Sequence, residues 1–304
     1  MQLCIFNPEH DLCLGNGRAH YMPPRSAILF ARQCAHLMSY LYPSALSLSI
    51  HDLPCTSRFH RDPTPSLITP WGWNATLKQQ LLDRGIPATL LPTDEALATL
   101  RRLQHRATLL PLQPDCQAFS SPDSLLDFTH SSHGSSFVLK APWSGAGRGQ
   151  RRINSDPTPN DLAWIAKVIR NQQCVILQPL YNVADDFALL YRIEGHTLHF
   201  VGYSLFQATH GVYSGNILLH DREIQQRIVL PTQKQEEVES WMLTNLIGQY
   251  EGHLGIDFLR TADGEIYVGE LNLRHTMGHV AHAYLEQHPE AHGTLFNPTY
   301  SLFS

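Results

Sequence analysis

The sequence is poor in lysine and carries no excess of positive charge. Lysine occurs only four times in 304 residues, and the formal net charge is -5. Proteins that bind nucleic acid or an anionic membrane surface usually present a basic field. We therefore expect neither of these partners and favour small-molecule ligands.

Closely spaced cysteines and long apolar runs are missing as well. The six cysteines lie far apart without a CxxC pair, which argues against a zinc ribbon and against a dense disulfide framework. We expect reduced and mostly buried thiols. No apolar run approaches the roughly 20 residues of a membrane-spanning helix, and residues 1–11 lack the basic and apolar regions of a secretory signal. These features predict a cytoplasmic protein that does not contact a membrane.

The remaining composition predicts a globular protein with two structural units. A hydrophobic content of 43% is sufficient for ordinary cores. Strand-like and helix-like segments alternate in the first third of the chain, which is typical of a small α/β domain. Around residues 112–136 the composition shifts to Pro, Ser, Asp and His, which indicates a connection. We predict an N-terminal α/β domain at residues 1–115 and a second unit at 116–304.

A strand-like run in the second unit ends in a lysine and leads into a glycine-rich loop. The stretch FVLKAPWSGAGRGQRRI, residues 137–153, contains Lys140 and three glycines spaced two apart. A second strand-like segment follows the loop, whereas a dinucleotide-binding loop opens a helix, and the GxxxxGK[ST] pattern is missing. The amides of such a hairpin can close over a polyphosphate, with Lys140 as a compact cation. The alternative is a glycine-rich turn without a ligand.

An acidic β-hairpin follows near the C-terminal end of the sequence. Its Asp-Gly dipeptide at 263–264 predicts a two-residue turn between two β-rich runs. In that turn Ala262 pairs with Glu265, and this register places Asp257 directly opposite Glu270.

Two carboxylates that face each other repel, so a cation is expected between them. Side chains alternate along a strand, which keeps Asn272 and Arg274 on the face of Glu270 and places Gly255 opposite Asn272. Carboxylate and amide oxygens are the ligands that Mg²⁺ prefers. The alternative is an ion-pair network in which Arg274 or Arg192 neutralises the acids. The predicted metal ligands are Asp257, Glu270 and Asn272.

Together these segments resemble the ATP-grasp superfamily. The similarity is carried by VLKAPWSGAGRGQ, LQPLYNVADDFALLYRI, GIDFL and EIYVGELNLR, and it covers roughly residues 118–285. The resemblance implies an α+β fold in which two α+β lobes grip ATP behind a small N-terminal α/β lobe. It further implies a middle lobe with the glycine-rich flap at 116–180 and a C-terminal lobe with the metal hairpin at 181–304.

The resemblance also implies roles for individual positions. Lys140 matches the ligand of the α- and β-phosphates, and Arg274 matches the residue that steadies the transferred phosphoryl group. Asp186 matches the ribose-binding acid, with Asp185 as the alternative. The metal ligands match the three residues predicted above. The other nucleotide contacts are the phosphate flap, Ser144, Gly145, Gly147 and Gly149, and the adenine hinge, Gln178 to Leu180.

Two positions depart from the family pattern. Gln178 stands where many relatives have an acid, which puts a side-chain contact to adenine in doubt. A second basic phosphate ligand lies upstream of the middle lobe in relatives, and this sequence has no lysine there. Arg101, Arg102 and Arg106 remain alternatives for that ligand.

The activity implied by the resemblance is that of an ATP-dependent, ADP-forming carboxylate–amine ligase. It would act through an acyl phosphate on an amino-acid-like or peptide substrate. The cofactors would be ATP and Mg²⁺, with Mn²⁺ as an alternative metal. The partners would be small-molecule carboxylates and amines, with a homodimer left open. An ATP-grasp kinase and a nucleotide-binding protein without turnover remain alternatives.

Other polar segments are candidates for substrate contacts or ordinary loops. Residues 7–11, 70–74 and 208–216 would lie near strand ends or at crevices, where ligands of such sheets bind. His275 and His279 share a predicted helical face with His282, and we expect a solvated or partly buried stripe rather than a second metal site.

Overall fold

The computed structural model describes residues 1–54, 65–145, 149–209 and 212–297. Strands in these ranges form three sheets, of three, four and six strands, in chain order. The described cysteines are all free, and all but one are buried, as predicted. None of the described helices is long and apolar enough to cross a membrane.

The N-terminal sheet is parallel and surrounded by helices, as the alternating sequence pattern predicts. Its central strand β1 lies between β2 and β3. The strands are β1 (Gln2–Phe6), β2 (Leu46–Ser49) and β3 (Leu67–Pro70). The helices are α1 (His10–Asn16), α2 (Arg25–Gln33), α3 (Met38–Leu41), α4 (Ala75–Asp83) and α5 (Asp94–Leu103). The side chains of Asn74 and Thr93 cap α4 and α5 by accepting hydrogen bonds from backbone amides.

The middle sheet is antiparallel, with the strand order β4-β7-β5-β6. Its strands are β4 (Gln117–Phe119), β5 (Ser136–Lys140), β6 (Gln150–Asn154) and β7 (Val175–Pro179). Its helices are α6 (Pro122–Ser131) and α7 (Pro159–Gln172). Residues 112–136 are therefore more than a connection, because they contain β4 and α6. Their Ser and Pro, typical of loops, here begin a helix: Ser121 is the N-cap and Pro122 lies in the first turn.

The C-terminal sheet is antiparallel, with the order β12-β11-β8-β9-β10-β13. Its strands are β8 (Val183–Glu194), β9 (Thr197–Thr209), β10 (Val212–Ile217), β11 (Gly252–Thr261), β12 (Ile266–Asn272) and β13 (Leu295–Phe296). Its helices are α8 (Asp221–Ile228), α9 (Thr232–Asn245) and α10 (Met277–Gln287). Short 3₁₀ helices occur at Ala35–Leu37, Ala88–Leu90, Arg106–Leu112 and Pro289–Ala291.

One face of the six-stranded sheet packs on the hydrophobic core, and this determines which side chains lie on the opposite face. Phe187 of β8 pairs in register with Phe258 of β11, and the two buried rings stack with their centroids 5.1 Å apart. Successive side chains of a strand point to opposite faces. Asp186 and Asp257, each one residue before its phenylalanine, therefore lie on the other face of the same two strands.

Candidate active site

The lysine strand and the glycine-rich loop form the predicted hairpin. Lys140 is the last residue of β5 and pairs with Gln150 of β6. The Ala141 amide donates a hydrogen bond to the Gly149 carbonyl (2.8 Å), which closes the base of the loop. The loop thus begins and ends at the edge of the sheet from which Lys140 projects.

Two of the predicted flap glycines are required by close contacts. A Cβ on Gly149 would lie 2.1 Å from the Cβ of Ser144, and one on Gly145 would lie 2.3 Å from a carboxylate oxygen of Asp11. Side chains cannot be accommodated at these distances, so both positions depend on glycine. The third glycine, Gly147, lies outside the described residues.

The acidic hairpin has the predicted pairing at its base but a different turn. Gly255 pairs with Asn272, as predicted. The predicted pairing of Ala262 with Glu265 is wrong, because the Thr261 amide donates to the Glu265 carbonyl (2.9 Å). Gly264 adopts φ +95° in the longer turn, a conformation that glycine reaches without strain.

A β-bulge compensates for the longer turn and lies at the predicted metal site. Pairing shifts between Ile256 and Phe258, so two residues of β12, Gly269 and Glu270, oppose the single residue Asp257. The prediction that Asp257 lies directly opposite Glu270 is therefore corrected to a bulged arrangement. Asp257 and Glu270 remain neighbours across the two strands, because in a bulge one residue faces two residues of the partner strand.

Two of the predicted metal ligands are in direct contact. The Asn272 side-chain amide donates to Asp257 Oδ2 (3.1 Å). Burial, and after it the nearby Glu270 carboxylate, raises the pKa of Asp257 to about 7. A carboxyl group with this environment favours a bound cation, because a cation offsets both the lost hydration and the repulsion.

Lys140 faces this cluster from the four-stranded sheet. Loss of hydration lowers its pKa from the usual value, and the neighbouring Arg106 lowers it further. Glu270 and Asp257 act in the opposite direction, which shows that the ammonium group and both carboxylates share one electrostatic environment. The structure therefore brings together residues about 120 positions apart, as the sequence predicts.

Arg106 is a cation of the site that the sequence left among three alternatives. Its side chain is buried and donates to Glu270 Oε1 (2.6 Å), to Ser144 Oγ (2.7 Å) and to the Ser144 carbonyl (2.8 Å). It also bonds the Ala141 carbonyl. Its Nε has no hydrogen-bond partner among the described residues. Arg106 thus joins the flap to a predicted metal ligand.

The other two arginine alternatives lie elsewhere. The guanidinium of Arg101 stacks 3.9 Å from the centre of the Trp143 ring and donates to the Leu14 carbonyl. Arg102 is bonded to Gln249 on the surface. The ion-pair alternative that involved Arg192 is not observed either, since Arg192 pairs with Glu194.

Arg274 is held by a residue of the N-terminal unit. It donates to both carboxylate oxygens of Asp11, at 2.8 and 3.2 Å. It also donates to the Asn272 side-chain oxygen (2.8 Å). Asp11 belongs to the segment 7–11, which the sequence offered only as a candidate substrate contact. Its contact with Arg274 could not be predicted, because 263 positions separate the two residues.

The two adjacent acids of β8 have different surroundings. Asp185 is buried and paired with Arg227 (2.8 Å) and with Arg260. Asp186 faces the cleft, where burial raises its pKa to about 6 and Lys140 lowers it. Of the two sequence alternatives, Asp185 is thus held by two arginines, whereas Asp186 has no such ion pair among the described residues.

The predicted adenine hinge lies at the end of β7, an inner strand of the four-stranded sheet. Gln178 is buried and pairs in register with Val138. The Leu180 amide donates to the Ser136 carbonyl (2.9 Å), so this amide is already used within the sheet. A contact of Leu180 with adenine would have to come from its other atoms.

A further buried acid lies in the segment 7–11, which the sequence offered as a candidate substrate contact. Glu9 follows the carboxyl end of β1 and contacts His51 Nε2 through Oε1 (3.2 Å). Its Oε2 is buried and has no hydrogen-bond partner among the described residues. The carboxyl ends of parallel strands are where ligands of such sheets bind.

The predicted histidine stripe is mostly buried. His275 and His279 are 5% and 2% exposed, and His282 lies nearer the surface beside Asp221. A further histidine, His253, stacks on His275 with ring centres 4.5 Å apart. Burial lowers the pKa of His275 to about 3 and that of His253 to about 4.

The described fold is similar to those of several solved enzymes. One of them is N5-carboxyaminoimidazole synthetase from Staphylococcus aureus complexed with ADP, with a TM-score of 0.53 and 17% sequence identity. The match covers 94% of this chain and 73% of that one. It matches 99% of D-cycloserine synthetase DcsG with a TM-score of 0.56, over 94% of this chain at 15% identity. It matches 93% of D-alanyl-alanine synthetase A from Vibrio cholerae O1 biovar eltor with a TM-score of 0.52, again over 94% of this chain at 15% identity.

At these identities the similarity shows the fold alone. No protein-family model matches the chain, and no curated protein sequence matches it significantly.

Proposed function

Since the chain has the ATP-grasp fold, we propose that it is an ATP-dependent, ADP-forming carboxylate–amine ligase. One observation carries the proposal: Lys140 of the four-stranded sheet shares one cleft with Asp257 and Glu270 of the six-stranded sheet. A lysine provides a cation for phosphate oxygens, and the acids provide hard oxygen ligands for a divalent metal. Mg-ATP requires both.

The nucleotide binds between the two sheets. Lys140 contacts the α- and β-phosphates, and Arg106 is the second basic phosphate ligand. The loop at residues 144–149 covers the triphosphate, with its backbone brought close by the glycines. Asp186 accepts hydrogen bonds from the ribose hydroxyls, and residues 178–180 line the adenine.

Asp257, Glu270 and Asn272 fit a Mg²⁺ or Mn²⁺ ion. All three side chains carry oxygen atoms, and the Asn272 oxygen, which accepts a hydrogen bond from Arg274 (2.8 Å), would have to turn to the ion. The raised pKa of Asp257, due first to burial and then to Glu270, is typical of a carboxylate that lacks a compensating charge. A bound ion would neutralise negative charge on the ATP phosphates and link them to the hairpin.

The proposed reaction has two displacement steps. A carboxylate oxygen of the first substrate attacks the γ-phosphorus, the bond to the β–γ bridging oxygen breaks, and ADP leaves. The amine of the second substrate then attacks the acyl carbon, inorganic phosphate leaves, and the new amide nitrogen loses a proton. Lys140 and Arg274 stabilise the negative charge that moves between these oxygens. Catalysis of this kind depends on positioning and charge neutralisation, and Asp11 positions Arg274.

Product analysis separates this activity from its two alternatives. A ligase releases ADP and phosphate only when both the carboxylate and the amine are present. A kinase releases ADP with one substrate and leaves a phosphorylated product. A nucleotide-binding protein without turnover releases no ADP with any substrate.

Glu270→Gln is the direct test of the metal hairpin. Loss of one carboxylate ligand should reduce Mg-ATP turnover by more than the about 10–100-fold that loss of an outer-shell partner costs, while the fold is retained. ADP release measured with a coupled assay and circular dichroism measure the two effects. Glu265→Gln is the matched control, because Glu265 is an exposed acid in the turn of the same hairpin. Unchanged ADP release in the Glu270 variant would overturn the proposal.

An ammonium-bearing, amino-acid-like substrate is supported by the unpaired oxygen of Glu9. A buried carboxylate oxygen without a partner is unfavourable, and a substrate ammonium group would satisfy it. Glu9→Gln should therefore raise the KM of the amino-acid substrate at least about tenfold, since one charged hydrogen bond is worth ~1.5–3 kcal/mol, and leave the KM of ATP unchanged. Equal effects on both KM values would indicate a structural role instead.

The domain boundaries predicted from the sequence, 1–115, 116–180 and 181–304, belong to the same proposal. The strands support it, because β1–β3, β4–β7 and β8–β13 fall into these three ranges and each set forms its own sheet. A cytoplasmic location is supported by the free thiols of the described cysteines. A homodimer remains open.

A further inference from the structure

A second group of metal-ligating side chains lies away from the nucleotide cleft. His220, Glu223 and His292 each direct one ligand atom to a common point, and these atoms lie within 4.8 Å of one another. We refer to these three residues as the His/Glu cluster. Both histidines are exposed and the glutamate is half-exposed, so an ion from solution can reach them.

Two separate backbone segments build the His/Glu cluster. His220 is the N-cap of α8, and Glu223 lies three residues later, where its carboxylate accepts a hydrogen bond from the His220 amide (3.0 Å). His292 follows α10 by five residues along the chain. Its neighbour Gly293 donates to the Leu218 carbonyl (2.7 Å). This bond fixes the segment that carries His292 beside the end of β10.

The side chains are already in contact without an ion. His292 Nε2 lies 2.7 Å from Glu223 Oε2, and the rings of His220 and His292 stack with centres 5.0 Å apart and planes 18° apart. Two imidazole nitrogens and one carboxylate oxygen form a borderline donor set, which suits Zn²⁺ and similar ions better than Mg²⁺. Bonds of roughly 2.0–2.2 Å to such an ion require ligand atoms about 3–4 Å apart. Rotation of the exposed side chains would bring the three ligand atoms to these separations, which for His292 and Glu223 are longer than the present 2.7 Å.

We propose that the His/Glu cluster binds one divalent transition-metal ion, such as Zn²⁺, through His220, Glu223 and His292, with water in the remaining position. The site differs in chemistry from the cleft, where the donors are oxygens only. The bound ion would link the start of α8 to the segment that leads into β13 at the sheet edge. A structural role follows from this position, since an ion that binds only the folded chain stabilises it.

The site can be tested with Zn²⁺ and Co²⁺ on the full chain carrying Glu270→Gln, so that ions bound at the cleft carboxylates contribute less. Isothermal titration with Zn²⁺ should show one site per chain. Co²⁺ should give the visible absorption bands of a four-coordinate complex. Zn²⁺ should also raise the melting temperature, and EDTA should reverse the rise.

Single substitutions decide whether the three residues are the ligands. His220→Ala and His292→Ala should each lower Zn²⁺ affinity at least tenfold and abolish the Co²⁺ bands, and Glu223→Gln should lower the affinity as well. His288→Ala is the matched control, because His288 is a half-exposed histidine of the same region that contacts Glu290 instead (3.1 Å), and it should retain full binding. Because both ligand histidines are exposed, their variants should fold normally by circular dichroism.

Two results would overturn the proposal. The first is the absence of Zn²⁺ binding at micromolar concentrations, which would leave His292 and Glu223 as a surface ion pair. The second is binding that persists unchanged in both histidine variants, which would place the ion elsewhere.

Discussion

At the scale of single residues, the adjacent pair Asp185 and Asp186 shows how environment separates identical side chains. Both are aspartates of β8, and the sequence leaves their roles as alternatives. Asp185 points into an ion-pair group with Arg227 and Arg260, whereas Asp186 lies across the cleft from Lys140. Their alternation along the strand sends them to opposite faces, so one acid stabilises the fold and the other is free for a ligand.

The two aspartates should respond in opposite ways to the same substitution. Asp186→Asn should raise the KM of ATP about tenfold or more and leave the fold intact, because a ribose contact is lost and a buried charge is removed. Asp185→Asn should instead lower the free energy of unfolding by about 2 kcal/mol, because charged hydrogen bonds to two arginines are weakened, with the KM of ATP unchanged. ATP kinetics and urea unfolding of both variants measure this crossed pattern. A larger KM change in the Asp185 variant would reverse our assignment.

At the scale of elements, two hairpins bring the candidate site together, and each depends on a glycine. The acidic hairpin uses Gly264 in its turn and a bulge at Asp257, and the two irregularities offset each other along the ladder. The sequence predicted the pairing of Gly255 with Asn272 at the base of this hairpin correctly, although the pairing that it predicted at the turn was wrong. The flap hairpin depends on Gly149, where the chain passes directly against Ser144.

Gly149→Ala should displace the flap from the cleft. The added Cβ would overlap the Cβ and Oγ of Ser144, and overpacking of this kind costs about 1–3 kcal/mol. We expect a higher KM for ATP and a lower melting temperature. Gly134→Ala is the control, because Gly134 has φ +74° with open space around it, so alanine there should cost stability by backbone strain alone. Equal ATP kinetics in the two variants would argue against a flap at residues 144–149.

At the scale of the whole molecule, buried polar groups join the N-terminal unit to the six-stranded sheet. His275 contacts the Pro70 carbonyl through Nδ1 (3.2 Å) and the Tyr42 hydroxyl through Nε2 (2.9 Å). His253 and His279 pack around it, and His279 Nε2 has no hydrogen-bond partner among the described residues. Burial and the mutual proximity of these rings disfavour their charged forms.

Stability should therefore decrease at mildly acidic pH. Burial lowers the folded-state pKa of His275 to about 3, below the roughly 6.5 of an unfolded chain, so the unfolded chain takes up protons first as the pH falls below 6.5. One such histidine lowers the free energy of unfolding by about 2 kcal/mol between pH 7 and pH 5. Urea unfolding at several pH values measures this slope. His275→Gln should flatten it, whereas His133→Gln, at an exposed position, should leave it unchanged; a slope that is the same in both variants would contradict the prediction.

The local structure was predictable to the extent that it depends on short-range chemistry. Asn74 and Thr93 cap the helices that the sequence indicated, and Lys140 ends a strand that leads into a glycine loop. The residues around Ser121 were misinterpreted as a connection only, because Ser and Pro are common both in loops and at helix starts. The sequence could not identify Arg106 as the second basic phosphate ligand, since Arg101 and Arg102 lie at the end of α5 and Arg106 lies only three residues beyond it.

The sequence by itself determined the α/β start of the chain, the lysine hairpin and the acidic hairpin, because alternation, capping and turn residues act within a few positions. The fold comparison confirms the ATP-grasp architecture predicted from these segments. Only the tertiary structure decided that Arg106 bonds Glu270, that Asp11 holds Arg274, and that Asp186 faces the cleft. These contacts join positions far apart in the chain, and the packing of three sheets, which no local pattern encodes, brings them within hydrogen-bonding distance.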